Sequence, residues 1–220
     1  MTASPPDPRN LPREHAPGRL IPRQESEARG RGRLAAAAAA CGLAFIALTA
    51  LVSGTTAPGW ELDLVEAATD APDAIGYPAR GVMELGTLPM VVVVSVGAWL
   101  VLQRWRPAVA LAGTALVAWL VAGRAKDVAE RARPVGVRLR DDTGGFGYPS
   151  GHTAVAFALA TVAAPLFPSR WRWLPYAAAA VVGLARMHVG VHYPVDVVGG
   201  ALVGIGLGLA ARSIVRYAAS

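Results

Sequence analysis

The sequence predicts an all-α polytopic membrane protein with six transmembrane helices. Three observations carry that prediction. Of 220 residues, 54% are hydrophobic and only 16% charged, against roughly 25% charged in a soluble domain. The apolar residues gather in six runs, 34–53, 86–102, 107–123, 151–167, 174–190 and 194–211. The net charge of +6 sits between those runs rather than within them. A nucleic-acid binder shares the positive balance but not the long apolar runs, and a disordered chain is less apolar.

Residues 1–33 hold seven Arg against four acidic residues and show no apolar period. They read as a disordered cytoplasmic tail. The first run, near 20 residues, suits a bilayer-spanning helix retained as an anchor. Its Cys41 stands alone, so the chain has neither an internal disulfide nor a cysteine zinc cluster; a small buried thiol is expected there. Residues 54–85 are acidic, with Glu61, Asp63, Glu66, Asp70, Asp73 and Glu84 against Arg80. Within them, 60–69 suits an interfacial helix with Leu62, Val65 and Leu64 toward lipid.

Pro107 fits the first turn of the third span. Residues 124–150 form a polar, basic loop in which Gly144, Gly145 and Gly147 mark flexibility. Ser169–Trp173 reads as an interfacial turn with aromatic and basic anchors. Gly199, Gly200, Gly204, Gly206 and Gly208 in the last run predict close helix packing. Residues 34–220 thus form one six-span domain. Placing the tail, Arg104, Arg106, Arg170, Arg172, Arg212 and Arg216 in the cytoplasm obeys the positive-inside tendency. Both termini are then cytoplasmic in the plasma (inner) membrane. One outer stretch breaks the tendency: Arg124, Lys126, Arg131, Arg133, Arg138 and Arg140. An anionic ligand explains such an exception.

Three polar clusters stand at outer helix ends. Lys126 and Arg133 are seven apart, which places them on one face if the helix runs to Pro134. They offer a point charge and a planar fork for phosphoryl oxygens; snorkelling at the interface is the plainer alternative. Pro149-Ser150-Gly151-His152 precedes a span. Its backbone N–H groups suit phosphate, though a capped helix with an interfacial histidine has the same sequence. In the third cluster, Arg186, His192 and Asp196 surround a turn at Pro194. Asp196 there can fix one nitrogen of His192 and free the other for attack. A metal site is the rival reading, opposed by the six nearby basic residues.

In this order the clusters resemble the type 2 phosphatidic acid phosphatase (PAP2) superfamily of membrane lipid phosphatases. Its pattern is Lys-x6-Arg-Pro, Pro-Ser-Gly-His, then Ser-Arg-x5-His-x3-Asp. The chain has Lys126, Arg133 and Pro134, then Pro149–His152, then Arg186, His192 and Asp196. Ala185 stands where the pattern has Ser, which removes one phosphate hydrogen bond. The resemblance spans about 84–212 and implies a PAP2-like helical core. It further implies that His192 is a nucleophile forming a phosphohistidine, oriented by Asp196, and that His152 is the general acid. Lys126, Arg133 and Arg186 would hold the phosphoryl oxygens, with the Ser150 hydroxyl and Gly151 N–H as further donors.

No metal or cofactor is expected. The expected partners are the bilayer and a lipid phosphate substrate, with no nucleic acid. A polyprenyl diphosphate (undecaprenyl or decaprenyl) leads, followed by phosphatidate and phosphatidylglycerol phosphate. A soluble-type acid phosphatase or haloperoxidase-like enzyme and a noncatalytic transporter or scaffold are the rival classes. His188, four residues before His192, suits a structural or interfacial role. Asp141 and Asp142 suit pairing with the loop's arginines.

Overall fold

The computed structural model of the chain describes residues 21–72, 81–139 and 144–215. Among these residues the regular structure is entirely helical. The α-helices are α1 (Ile21–Val52), α2 (Gly59–Asp70), α3 (Leu88–Leu102), α4 (Trp105–Ala129), α5 (Gly151–Ala163), α6 (Leu174–His188) and α7 (Pro194–Ile214). Short 3-10 turns cover Glu84–Gly86, Ala164–Leu166 and Ser169–Trp171.

Each apolar run forms a helix, but the expectation of six spans is wrong. Among the described residues, three helices are long and apolar enough to cross a membrane: Glu25–Val52 within α1, Trp105–Ala129 and Pro194–Ile214. The reason is length. At about 1.5 Å per residue, the 15 residues of α3 or α6 and the 13 of α5 fall short of a hydrocarbon core about 30 Å thick. The sequence runs included turn residues that the helices leave out. Run 151–167 takes in the Ala164–Leu166 turn, and run 174–190 passes the end of α6 at His188.

Two other boundaries moved. α1 starts at Ile21, inside the stretch read as a disordered tail; residues 1–20 lie outside the described ones. Gln24, Glu25, Glu27, Ala28 and Arg29 are good helix formers, and Glu25 pairs with Arg29 one turn on at 3.3 Å. α4 ends at Ala129, with Glu130 in the left-handed region (φ 46°), rather than running to Pro134.

α5 is the centre of the bundle. Nine of its 13 residues are buried, packed by α4, α6 and α7. Val155, Leu159 and Val162 meet Val91 of α3 and Leu111 and Ala115 of α4. Ala156 and Ala160 meet Ala179 and Val182 of α6. α7 approaches α5 through a stripe of glycines, as the sequence predicted. A Cβ on Gly200, Gly204 or Gly208 would fall 2.4–2.5 Å from Ser150 O, Ala154 O or Thr161 Cβ, so only glycine admits this separation. α1 lies on α7, with Cys41, only half-buried, facing Gly206.

The C-terminal ends of α1 and α4 and the N-terminal end of α7 meet, where Val52, Ala129, Tyr148 and Val195 cluster. The starts of α1 and α4 and the end of α7 lie at the opposite end. Large apolar side chains stay exposed along the bundle, among them Ile46, Val93, Leu120 and Leu184. Such a surface belongs in lipid rather than water, and the chain is a membrane protein.

α2 does not turn Val65 toward lipid as the sequence suggested. Val65 is fully buried, in one stripe with Glu61 and Thr69. That stripe faces α6 and α7, while Leu64 remains about half exposed. Asp73 and Arg80, counted in the acidic loop, lie outside the described residues.

Candidate active site

The three motifs converge at the end of the bundle where α4, α5 and α7 meet. A cavity of about 660 Å³ there is lined by Lys126, Arg133, Gly151, His152, Arg186 and His192. The predicted sharing of one helix face by Lys126 and Arg133 does not hold, because α4 has ended before Arg133. The segment after Ala129 turns back and delivers Arg133 to the same cavity. Loop carbonyls then aim the cations. Lys126 Nζ donates to Phe146 O at 2.7 Å, and Arg133 donates to Gly145 O at 3.0 Å and Val191 O at 2.8 Å.

Ser150 occupies the N-cap position of α5, yet its hydroxyl caps nothing. It is fully buried and accepts from Thr153 Oγ1 at 3.0 Å. It does not line the cavity, in contrast to Gly151 and His152. Gly86 must be small to admit α5 here: a Cβ on it would meet His152 O at 2.6 Å. Arg186 is buried near the end of α6, with Nη1 donating to Met83 Sδ at 3.3 Å.

His192 lies in the turn between α6 and α7. Asp196, in the first turn of α7, accepts from the Tyr193 N–H at 2.8 Å and faces His192 Nδ1 at 3.4 Å through the same oxygen, Oδ2. An ionised carboxylate only accepts, so Nδ1 carries the proton and Nε2 has the lone pair. Burial pushes the imidazole down to about 4, against the upward pull of Asp196 and with Lys126 and Arg186 assisting. His192 is therefore neutral at pH 7. His188 is not on a shared helix face with it, since α6 stops at His188. Its Nδ1 lies 2.7 Å from Ala68 O and fastens α6 to α2.

Two residues were missed as parts of this site. Arg131 was counted among the surplus outer cations, and Glu61 among the loop acids. Arg131 is buried between two carboxylates, donating to Glu61 Oε2 at 2.6 Å and Asp196 Oδ1 at 2.9 Å. Its guanidinium carbon lies 4.9 Å from the centre of the Tyr193 ring. Burial opposes its charge, but the two carboxylates outweigh burial and hold it protonated. The available signal was the stripe Glu61–Val65–Thr69, which sets an acid on an otherwise buried helix face.

Among the described residues no group of three or more His, Cys, Asp or Glu is arranged to hold a metal ion. On the cavity wall Lys126, Arg133 and Arg186 stand against one carboxylate, Asp127, and the nearby Glu61 and Asp196 are engaged with Arg131. Asp141 and Asp142 lie outside the described residues.

The sequence profile of the PAP2 superfamily matches residues 85–220. A crystal structure described as the first transmembrane PAP2 type phosphatidylglycerolphosphate phosphatase from Bacillus subtilis superposes with a TM-score of 0.69. The likeness covers 82% of this chain and 98% of that one at 23% identity, and shows a shared fold. The lipid A 4'-phosphatase of Bacteroides thetaiotaomicron is 42% identical over 62 residues, 28% of this chain and 28% of that protein. The undecaprenyl-diphosphatase of Sulfolobus acidocaldarius is 40% identical over 60 residues, 27% of this chain and 29% of that protein. These matches span less than a third of each curated relative.

Proposed function

The chain belongs to the PAP2 superfamily, and from that premise we propose that it is a metal-independent lipid phosphate or diphosphate phosphatase acting through a phosphohistidine on His192. The observation that carries the reading is the cavity itself. It joins three cations, a neutral and carboxylate-oriented imidazole, and a second histidine at a helix start.

Lys126, Arg133 and Arg186 hold the nonbridging phosphoryl oxygens and stabilise the charge that grows on them. The Gly151 N–H at the start of α5 adds a directed donor. His192 Nε2 attacks phosphorus as the bond to the leaving oxygen breaks, and His152 gives that oxygen its proton. Asp196 stabilises the charge that develops on the His192 ring. His152 then takes a proton from water, whose oxygen displaces His192 and releases phosphate. Three cations do the neutralising that a metal would otherwise supply. Ser150 accepts from Thr153 and keeps its own O–H as a further donor near the start of α5, though it does not line the cavity.

A lipid substrate is favoured by the neighbouring surface. A second cavity, about 530 Å³ and almost wholly apolar, lies between α3, α5 and α6. It begins at Leu85, next to Gly86, Thr87 and Leu88 of the cationic cavity. A phosphate in one leaves its hydrocarbon chain beside the other. The names of the relatives, lipid A phosphatase and undecaprenyl-diphosphatase, agree with a membrane lipid phosphate, and we take a polyprenyl diphosphate as the substrate. The site faces away from the cytoplasm of a cell membrane, because Arg104, Arg106, Arg170, Arg172 and Arg212 occupy the other end.

The test is a panel of polyprenyl diphosphate, phosphatidate, phosphatidylglycerol phosphate and lipid A in micelles without divalent metal. His192→Ala serves as the control. Phosphate release chiefly from the polyprenyl substrate is expected. Release from none of them rejects the phosphatase reading, and a fully active His192→Ala rejects the nucleophile.

A further inference from the structure

We propose that Glu61 and Arg131 are positioning residues for the nucleophile, forming with Asp196 a buried chain of hydrogen bonds that sets how strongly Asp196 acts on His192. The proposal rests on the reading of His192 as nucleophile. It reaches beyond the family's motifs, since Glu61 precedes the matched stretch 85–220.

The geometry is specific. Glu61, Arg131, Asp196 and His192 are each no more than 2% exposed. Arg131 uses separate nitrogens, Nη2 for Glu61 and Nη1 for Asp196. Asp196 in turn divides its oxygens: Oδ1 takes Arg131, while Oδ2 takes the Tyr193 N–H and faces His192 Nδ1. The carboxylate cannot rotate without losing one of these partners. Its oxygen toward His192 is thereby fixed, and so is the direction of Nε2.

The chain also sets charge. Arg131 neutralises part of Asp196, and Glu61 draws Arg131 back the other way. A salt link serving only to fasten α2 would need neither a cation shared with the carboxylate of the nucleophile nor burial at that carboxylate. α2 already has a second fastening through His188 and Ala68.

The charged and titratable groups around His192 come from every packed element. They are Asp196 on α7, Lys126 and Asp127 on α4, Arg131 and Arg133 beyond it, His152 on α5, and Arg186 and His188 on α6. Glu61 on α2 acts through Arg131. Only the Glu61–Arg131 part is altered by the test, so the others form a constant background.

The experiment is a histidine titration by NMR on the full chain with labelled histidine in micelles, from pH 8 to pH 3.5. The His192 signal is assigned by its loss in His192→Gln. In Arg131→Gln, Asp196 acts on His192 uncompensated: its midpoint rises by about one pH unit or more, and at pH 7 its Nδ1 proton moves downfield of the parent. Glu61→Gln is read at pH 7, because burial raises the Glu61 carboxyl; Arg131 is released to Asp196, and the His192 Nδ1 proton moves upfield of the parent. Mere loosening of the fold would exchange that proton with water and erase its signal in both variants. Opposite movements support the proposal; loss of the signal in both, or no movement in either one, overturns it. If Arg131→Gln does not fold, Glu61→Gln decides alone: an upfield shift supports the proposal, and a downfield shift, loss or no change overturns it. Lipid phosphate hydrolysis by the unaltered protein in the same micelles tests the phosphatase reading separately, because the titration needs no turnover.

Discussion

Arg131 and Arg106 stand at opposite ends of one helical bundle, in opposite surroundings. Arg131 is 2% exposed and held by two buried carboxylates. Arg106 is exposed beside Trp105, its guanidinium carbon 5.8 Å from the ring centre. Arg170 repeats that arrangement with Trp171 at 6.0 Å. At the far end the arginine charge is exposed, where in the proposed orientation it would meet water and headgroups. At the site end, charge is removed from water, which costs several kcal/mol per ion unless it is paired. Under the proposed function and orientation, the same residue type would set topology at one end and serve chemistry at the other. Exposure and the presence of a carboxylate decide which.

That contrast can be broken by experiment, and the largest effect belongs to the chemistry. His192→Ala should lower turnover of lipid phosphate by about 10⁴-fold or more, with the fold retained by circular dichroism. Next comes Arg131→Gln. It leaves Glu61 and Asp196 buried and facing each other, a loss of about 3–5 kcal/mol in detergent unfolding. An effect near zero would make the two ends alike.

Acid should then act on the site end selectively. Unfolded His192 takes up a proton near 6.5, but folded His192 only near 4. Unfolding therefore binds a proton between those values. Stability is complete above about pH 6.5 and falls as the pH drops toward 4, by roughly 3 kcal/mol from this residue. Subtracting the pH profile of His192→Gln isolates that share. Gly204→Ala, whose Cβ would lie 2.4 Å from Ala154 O, should cost roughly 1–3 kcal/mol and lower the unfolding temperature without altering the pH profile. The smallest change is expected of Arg106→Gln, within about 0.5 kcal/mol by the same unfolding measurement. A large loss there would show that the far end, too, depends on its arginines.

Sequence alone determined the helical class, the six apolar helices and the residues that meet around the cavity. Helix periodicity, turn residues and motif spacing are local properties, and Lys126, Arg133, His152, Arg186 and His192 all reached the same cavity. The number of helices able to cross a membrane was misread, because an apolar run in sequence does not show where its helix stops. α5 gave way to the Ala164–Leu166 turn, and α6 closed at His188. Tertiary structure decided the rest. Val65 faces protein instead of lipid because α2 docks on α6 and α7. Ser150 is buried, its Oγ accepting from Thr153. Arg131 and Glu61, 70 positions apart, become partners only when α2 folds over the start of α7. No local pattern encodes that pairing: whether a charge lies in water or against an opposite charge depends on elements distant in the chain, and only packing brings them together.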